Sequence, residues 1–180
     1  SLLIGWAKKI NLSINYDEIG NLILRREGLS TTALPIVMGS HLDTQPKGGR
    51  FDGIYGVLAG MEVLQRLAEE DVVTHHPLEV VVWTNEEGAR FTPAMMGSAA
   101  FTGLLAKQKV YDSTDKQGVS VYSELLRTGQ LGELPLARPF QAYYEAHIEQ
   151  GPVLENNQIS IGVVTGGQAI LWLDVETRGK

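Results

Sequence analysis

Two short apolar runs on either side of one long amphipathic stretch constrain this chain more than any other feature. Pro35 to Met38 is apolar and ends at Gly39-Ser40-His41, and Leu78-Glu79-Val80-Val81-Val82-Trp83 is rich in β-branched residues, so both read as strands. Between them Ile54, Val57, Leu58, Met61, Leu64 and Leu67-Ala68 recur at three and four, while Glu62, Gln65, Arg66, Glu69 and Glu70 lie off that stripe. That is one buried face of a helix. Strand, helix, strand argues for a βαβ unit and a parallel sheet, whose ligand site lies at the carboxyl ends of the strands.

Other elements are placed around this unit. A helical pattern opens the chain (Leu2, Leu3, Trp6, Ile10), and Asn21 to Arg26 reads as a strand. Helices are expected at Ser98 to Lys107 and Val121 to Arg127, with a polar linker from Tyr111 to Gly118 between them. Strands are expected at Gln141 to Ile148 and Gln158 to Val164. Thr165-Gly166-Gly167 then punctuates the chain, and Leu171-Trp172-Leu173-Asp174-Val175-Glu176 alternates like a new strand, which puts a domain boundary near Gly166. The chain starts without methionine inside a helical pattern and stops inside a strand-like one, so a piece of a longer protein is expected.

Chemistry-bearing residues collect where the apolar runs give way to glycine or polar residues. His41 and Asp52 form the first station, Glu86-Glu87 the second and His147 the third. With no cysteine in the chain, any metal must be held by His, Asp and Glu. Alternation places residues 41 and 43 on one side of an extended segment, so Asp43 can accept a hydrogen bond from the imidazole nitrogen that faces away from a metal. Asp52 sits within Gly48-Gly49-Arg50-Phe51-Asp52-Gly53, where flanking glycines leave room for a carboxylate shared by two cations. Two adjacent carboxylates at a strand end repel unless a cation or proton compensates, so Glu86 and Glu87 can divide binding from proton transfer. Period two puts Glu145, His147 and Glu149 on one face. Taken singly, each has a plainer reading: a strand-end histidine, a helix-capping aspartate, a solvated acidic turn, a structural histidine. His75-His76 read as solvated and Met95-Met96 as packing.

A net charge of −6 and a pI near 5.2, with scattered rather than clustered Lys and Arg, argue against nucleic acid as a partner. No stretch approaches the roughly 18 apolar residues needed to cross a bilayer, and no signal peptide is visible. No membrane association is expected, and a cytoplasmic address fits the absence of cysteine without following from it.

Four ordered motifs then carry a resemblance. Gly39-Ser40-His41-Leu42-Asp43-Thr44, Gly48-Gly49-Arg50-Phe51-Asp52-Gly53, Asn85-Glu86-Glu87-Gly88-Ala89-Arg90-Phe91 and Glu145-Ala146-His147-Ile148-Glu149-Gln150-Gly151-Pro152 resemble the dinuclear amidohydrolases that include N-carbamoyl-L-amino acid hydrolase, β-ureidopropionase and allantoate amidohydrolase. These belong to the aminoacylase and carboxypeptidase superfamily. The resemblance implies an α/β fold with a mixed, largely parallel sheet flanked by helices, as in zinc exopeptidases. It also implies a partial catalytic domain over residues 1–165, and over 166–180 the first strand of an inserted dimerisation or lid domain.

By the same resemblance, His41, Asp52 and His147 hold one divalent metal, while Asp52 and Glu87 contribute to a second. Zinc is favoured, with manganese, cobalt or nickel as alternatives. Glu86 would be the general base, Asp43 would orient His41, and Gln150 would contact substrate. Histidine at position 147, where related peptidases usually carry an acidic ligand, favours the carbamoylase branch. The implied substrate is an N-carbamoyl amino acid or ureide, with allantoate, acylamino acids and dipeptides as alternatives. The parent would be a homodimer through the missing domain. A further histidine ligand and the lid groups fall outside these 180 residues, so this piece alone is expected to be inactive or very weak.

Overall fold

The computed structural model describes residues 1–167, 173 and 175–179. It contains α1 (Leu2–Lys9), β1 (Ser13–Tyr16), β2 (Leu22–Arg26), β3 (Ile36–His41), α2 (Ile54–Glu69), β4 (Leu78–Trp83), α3 (Met96–Phe101), α4 (Lys107–Asp112), α5 (Val121–Thr128), β5 (Ala142–Tyr144) and α6 (Val153–Asn156). The chain divides into two compact units, Ser1–Ile148 and Glu149–Lys180.

The first unit is built on a five-stranded sheet of order β1-β2-β4-β3-β5. β3 runs parallel to β4 and to β5, as the βαβ reading requires. β1–β2 and β2–β4 pair antiparallel, so the sheet is mixed, and two of its four pairings are parallel. The antiparallel pairing of β1 with β2 follows from the short connection between them, which can only fold back as a hairpin. That turn is held by Asp17, buried at 0% exposure. Its Oδ1 accepts from the amides of Ile19 (3.1 Å) and Asn21 (2.9 Å), and its Oδ2 accepts from Asn21 Nδ2 (2.8 Å). Burial pushes the Asp17 carboxyl up, against these hydrogen bonds. Asn21 Oδ1 in turn accepts from the amide of Thr84 (2.8 Å), which ties the hairpin to the carboxyl end of β4.

Period two sorts the strand residues onto two faces. Leu22, Leu24, Leu78 and Val80 pack with Leu3 and Ala7 of α1 and with Val57, Met61 and Leu64 of α2. Ile23, Val37 and Val81 point the other way and pack with Trp83, Leu134 and Tyr143. On that second face Glu79 is buried but not alone: Arg25 Nη1 lies 2.9 Å and Arg138 Nη2 3.2 Å from its oxygens. A third cluster, with Ile19, Phe91, Met96, Ala100, Val110, Val121 and Leu125, joins α3, α4 and α5 beneath the loop that follows β4.

Glycines let α2 lie close on the sheet. A Cβ on Gly56 would stand 2.5 Å from the carbonyl oxygen of Ala146 and 2.8 Å from Ser40 Cβ, and one on Gly60 would stand 2.9 Å from Val80 Cγ2. The loop carrying Arg90 is fastened to α5 by charge. Arg90 contacts Asp115 (2.9 Å) and Glu124 (2.7 Å), and Arg127 contacts Glu124 (2.8 Å). Arg127 first, then Arg90, hold the Glu124 carboxyl down at about 2.

Several expectations need correction. The helix expected at Ser98 to Lys107 is two: α3 ends at Phe101, Gly103 takes a φ of 79°, and α4 begins at Lys107, absorbing the start of the expected linker. The strand expected at Gln141 to Ile148 pairs over Ala142–Tyr144 alone, because beyond Tyr144 the chain leaves the edge of β3. No strand forms among residues 158–164; the second unit's helix, α6, lies before them, and the Glu149 carboxylate accepts from the amides of Val153 (3.0 Å) and Leu154 (2.9 Å) at its start. β1 is a strand that periodicity did not reveal, being four residues long with only half-burial on its inner face. The strand expected at residues 171–176 lies largely outside the described residues.

Two outcomes follow from this packing. Gly56→Ala should destabilise the protein by about 1–3 kcal/mol in urea unfolding, since overpacking against backbone outweighs the roughly 0.5–1 kcal/mol that alanine gains in a helix. Because the Glu124 carboxyl is depressed, its contribution is present above its ordinary value of 4.5 and is lost as pH falls toward about 2. Melting curves of the wild type and Glu124→Gln should therefore converge across that window, and salt should narrow their gap at neutral pH.

Candidate metal centre

Three ligand atoms meet where β3 ends, α2 begins and the segment after β5 returns. His41, Asp52 and His147 each offer an atom within 4.8 Å of the others. Asp52 Oδ1 lies 3.2 Å from His147 Nε2 and 3.8 Å from His41 Nε2, and the two imidazole centroids are 6.0 Å apart. His41 is almost fully buried and Asp52 largely so, with side chains 3% and 12% exposed, while His147 is 29% exposed.

Local sequence explains the convergence. Gly53 starts α2 with a φ of 68°, and a Cβ there would stand 2.4–2.5 Å from the His41 ring. Only glycine lets the helix begin against that ring and set Asp52 beside it. Each imidazole spends its Nδ1 proton on a carbonyl: His41 donates to Asp43 O (2.9 Å) and His147 to Ile148 O (2.8 Å). In the neutral tautomer that leaves Nδ1 the donor, Nε2 of each ring offers a lone pair, and both face a carboxylate oxygen that can only accept. Acceptors in mutual contact are stabilised by a cation, and nitrogen and oxygen donors of this kind suit a divalent transition metal.

Glu86 and Glu87 occupy the turn after β4. Glu86 Oε2 lies 3.5 Å from His41 Nε2. Burial pushes its carboxyl up, His41 opposes this, and the charges of Glu87, Asp43 and Glu145 add to it. Glu87 is not one of the three clustered ligands, but its Oε1 is buried and has no hydrogen-bond partner among the described residues. An orphaned, buried carboxylate oxygen is what a cation would satisfy.

Asp43 acts differently from expectation. Its carbonyl, not its carboxylate, accepts from His41 Nδ1; Asp43 Oδ1 stands 3.7 Å from that nitrogen. The carboxylate instead accepts from the amides of Glu86 (3.2 Å) and Glu87 (3.0 Å), which fastens the glutamate turn to the histidine segment. The rest of that turn is equally tied. Met95, Met96 and Gly97 donate their amides to Glu86 O (2.6 Å), Asn85 O (3.3 Å) and Thr84 O (2.9 Å). Of the methionine pair expected to pack, Met96 is buried, whereas Met95 is 58% exposed.

Two groups went unread in the sequence. Gln45 Nε2 donates to the carbonyl (2.7 Å) and to Oε2 (3.2 Å) of Glu87. The alternation that linked positions 41 and 43 extends to 45 and is the signal that could have found it. Ser40 and Tyr143 donate to the two oxygens of Glu145 (2.5 and 2.6 Å), and Trp83 Nε1 donates to Tyr143 (2.9 Å), bracing the ends of β3, β4 and β5. Burial pushes the Tyr143 hydroxyl up, so it stays a donor. Gln150 belongs to the second compact unit, with a φ of 57°.

Comparison with known proteins gives this geometry a context. The sequence profile described as peptidase family M20/M25/M40 matches residues 37–178. An N-carbamoyl-L-amino-acid amidohydrolase of Rhizobium meliloti is 45% identical over 180 residues, covering 99% of this chain and 43% of that protein. An allantoate amidohydrolase of Bacillus subtilis is 36% identical over 157 residues, covering 86% of this chain and 38% of the other. A solved hydantoinase/carbamoylase family amidase from Burkholderia ambifaria superposes with a TM-score of 0.90 at 51% identity, over 92% of this chain and 41% of that one. The chain thus spans less than half the length of these relatives. Among the described residues no helix is long and apolar enough to cross a membrane.

If the three-ligand group binds a cation, adding zinc or manganese to metal-stripped protein should raise its melting temperature, by about 2.7 kcal/mol of stabilisation at 100 times Kd. Asp52→Asn should weaken that binding by at least about 10–100-fold, the loss incurred when even an outer partner of a ligand is removed. Calorimetric titration measures both.

Proposed function

Because this chain belongs to peptidase family M20/M25/M40, we propose that its protein is a metal-dependent hydrolase of linear amide or ureido C–N bonds, with N-carbamoyl-L-amino acids as the favoured substrates. The observation that carries this reading is the converging His41–Asp52–His147 group, with His41 buried, and Glu86 3.5 Å from the His41 imidazole nitrogen. Its similarity to the Rhizobium N-carbamoyl-L-amino-acid amidohydrolase and the Burkholderia amidase supports it. The reading takes two divalent ions, zinc by preference or manganese, cobalt or nickel: one held by His41, Asp52 and His147, the other by Asp52 and Glu87.

Such ions supply a Lewis acid for the substrate oxygen and a water acidic enough to lose its proton near neutral pH. This chain's residues do the rest. Glu86, raised by burial, accepts the proton as the water oxygen bonds to the ureido carbon. When the C–N bond breaks, Glu86 returns that proton to the departing nitrogen. Asp43 holds the Glu86 and Glu87 amides, so the base does not drift as charge develops. Gln150 is assigned to substrate contact by resemblance. Assignment to a homodimer rests on the same ground, and so does the division into a catalytic part (1–165) and the start of a lid domain (166–180); a cytoplasmic address is compatible with the absence of cysteine.

A second reading, hydrolysis of allantoate, is favoured by the Bacillus subtilis relative. Release of ammonia from N-carbamoyl-L-amino acids and allantoate, and of free amino acid from acetylamino acids and dipeptides, measured with the full-length protein, separates the possibilities. Silence on every carbamoyl compound would remove the first reading. Glu86→Gln should lower kcat by about 10²–10⁴-fold with metal content unchanged. If metal were lost instead, Glu86 would be a ligand rather than the base.

A further inference from the structure

Gln45 makes a contact that the proposed chemistry has not used. Its carboxamide carries two N–H donors. Nε2 lies 2.7 Å from the main-chain oxygen of Glu87 and 3.2 Å from Oε2 of the same residue, so one amide group grips both the backbone and the side chain of a single glutamate. The glutamate cannot turn its carboxylate without breaking one of these bonds. Its amide is fixed as well, donating to Asp43 Oδ2 at 3.0 Å. Gln45 is itself seated in a turn, where its carbonyl accepts from the amide of Gly48 at 2.9 Å.

The two oxygens of Glu87 are therefore unequal. Oε2 is occupied by Gln45, whereas Oε1 is buried with no hydrogen-bond partner among the described residues. We propose that Gln45 is a positioning residue for Glu87: it takes up Oε2, fixes the carboxylate's rotation and so presents Oε1 to the second divalent cation. This rests on the assignment of Glu87 to that cation made above. A partner that orients a ligand in this way commonly changes metal affinity by about 10–100-fold when it is lost. Both side-chain hydrogen bonds of Gln45 go to Glu87, so its grip acts on the residue assigned to the second ion.

The test is zinc titration of the metal-stripped full-length protein against a competing chelator, comparing wild type with Gln45→Met and Gln45→Asn. Methionine keeps the length and loses both donors. Asparagine keeps the donors on a stem too short to reach both acceptors. Gln45 is exposed, so both variants should melt as the wild type does when metal-free. The expected result is two ions in the wild type, an unchanged first affinity in both variants and a second affinity weaker by about 10–100-fold. Two ions bound equally well by all three proteins would overturn the role of Gln45 while leaving the dinuclear reading intact. Equal weakening of both ions would make Gln45 a general loop staple and overturn it too. A wild type that binds fewer than two ions would remove the dinuclear reading itself.

Discussion

Lone pairs that face one another are the constraint on which this molecule turns. The Nδ1 protons of His41 and His147 are spent on carbonyl oxygens, so both Nε2 atoms confront the carboxylate of Asp52 as acceptors within 4.8 Å. Two of the three side chains are nearly buried, where water screens such a set poorly. The arrangement makes physical sense around positive charge. It also demands rigidity, since a cluster free to relax would simply spread. Gly53, with its φ of 68° and no room for a Cβ beside the His41 ring, is one consequence of that demand.

The supports are mostly polar groups near strand ends. Asn21 holds the amide of Thr84, Asp43 holds those of Glu86 and Glu87, Gln45 takes the carbonyl of Glu87, and the first residues of α3 take the carbonyls from Thr84 to Glu86. A turn with its hydrogen-bonding groups so fully matched has few other low-energy shapes. Catalytic geometry gains from this, because side chains on a fixed backbone need no reorganisation when charge develops. The hairpin turn at Asp17–Asn21, distant in sequence, thereby becomes part of the site's foundation.

Much of this was legible in the residues. The boundaries of β4 coincide with the run Leu78–Trp83, and α2 with the apolar repeat from Ile54, because burial on one side of a regular element writes its period into the sequence. The three-station pattern was legible for a related reason: His41 ends β3, Asp52 precedes α2, Glu86 and Glu87 follow β4, and His147 follows β5. β1 was hidden by its brevity, and the expected strand over residues 158–164 failed because apolar alternation alone supplies no neighbour to pair with. The carboxylate of Asp43 was misassigned because spacing says which side a residue faces, not which donor wins it. Two backbone amides on another loop did, a contact across 43 and 44 residues that no local pattern encodes.

That contact also explains how neighbouring glutamates come to differ. Both amides of the pair are anchored to one carboxylate, so their side chains must leave the turn in different directions. Glu86 reaches toward His41 and is raised by burial, which suits a group that must take and return a proton. Glu87 is gripped by Gln45 at one oxygen and left with the other buried, which suits a fixed ligand. Their identities are equal in sequence and unequal in environment. Exchanging their roles would require the Asp43 anchor and the Gln45 grip to change places, which the chain's connectivity forbids.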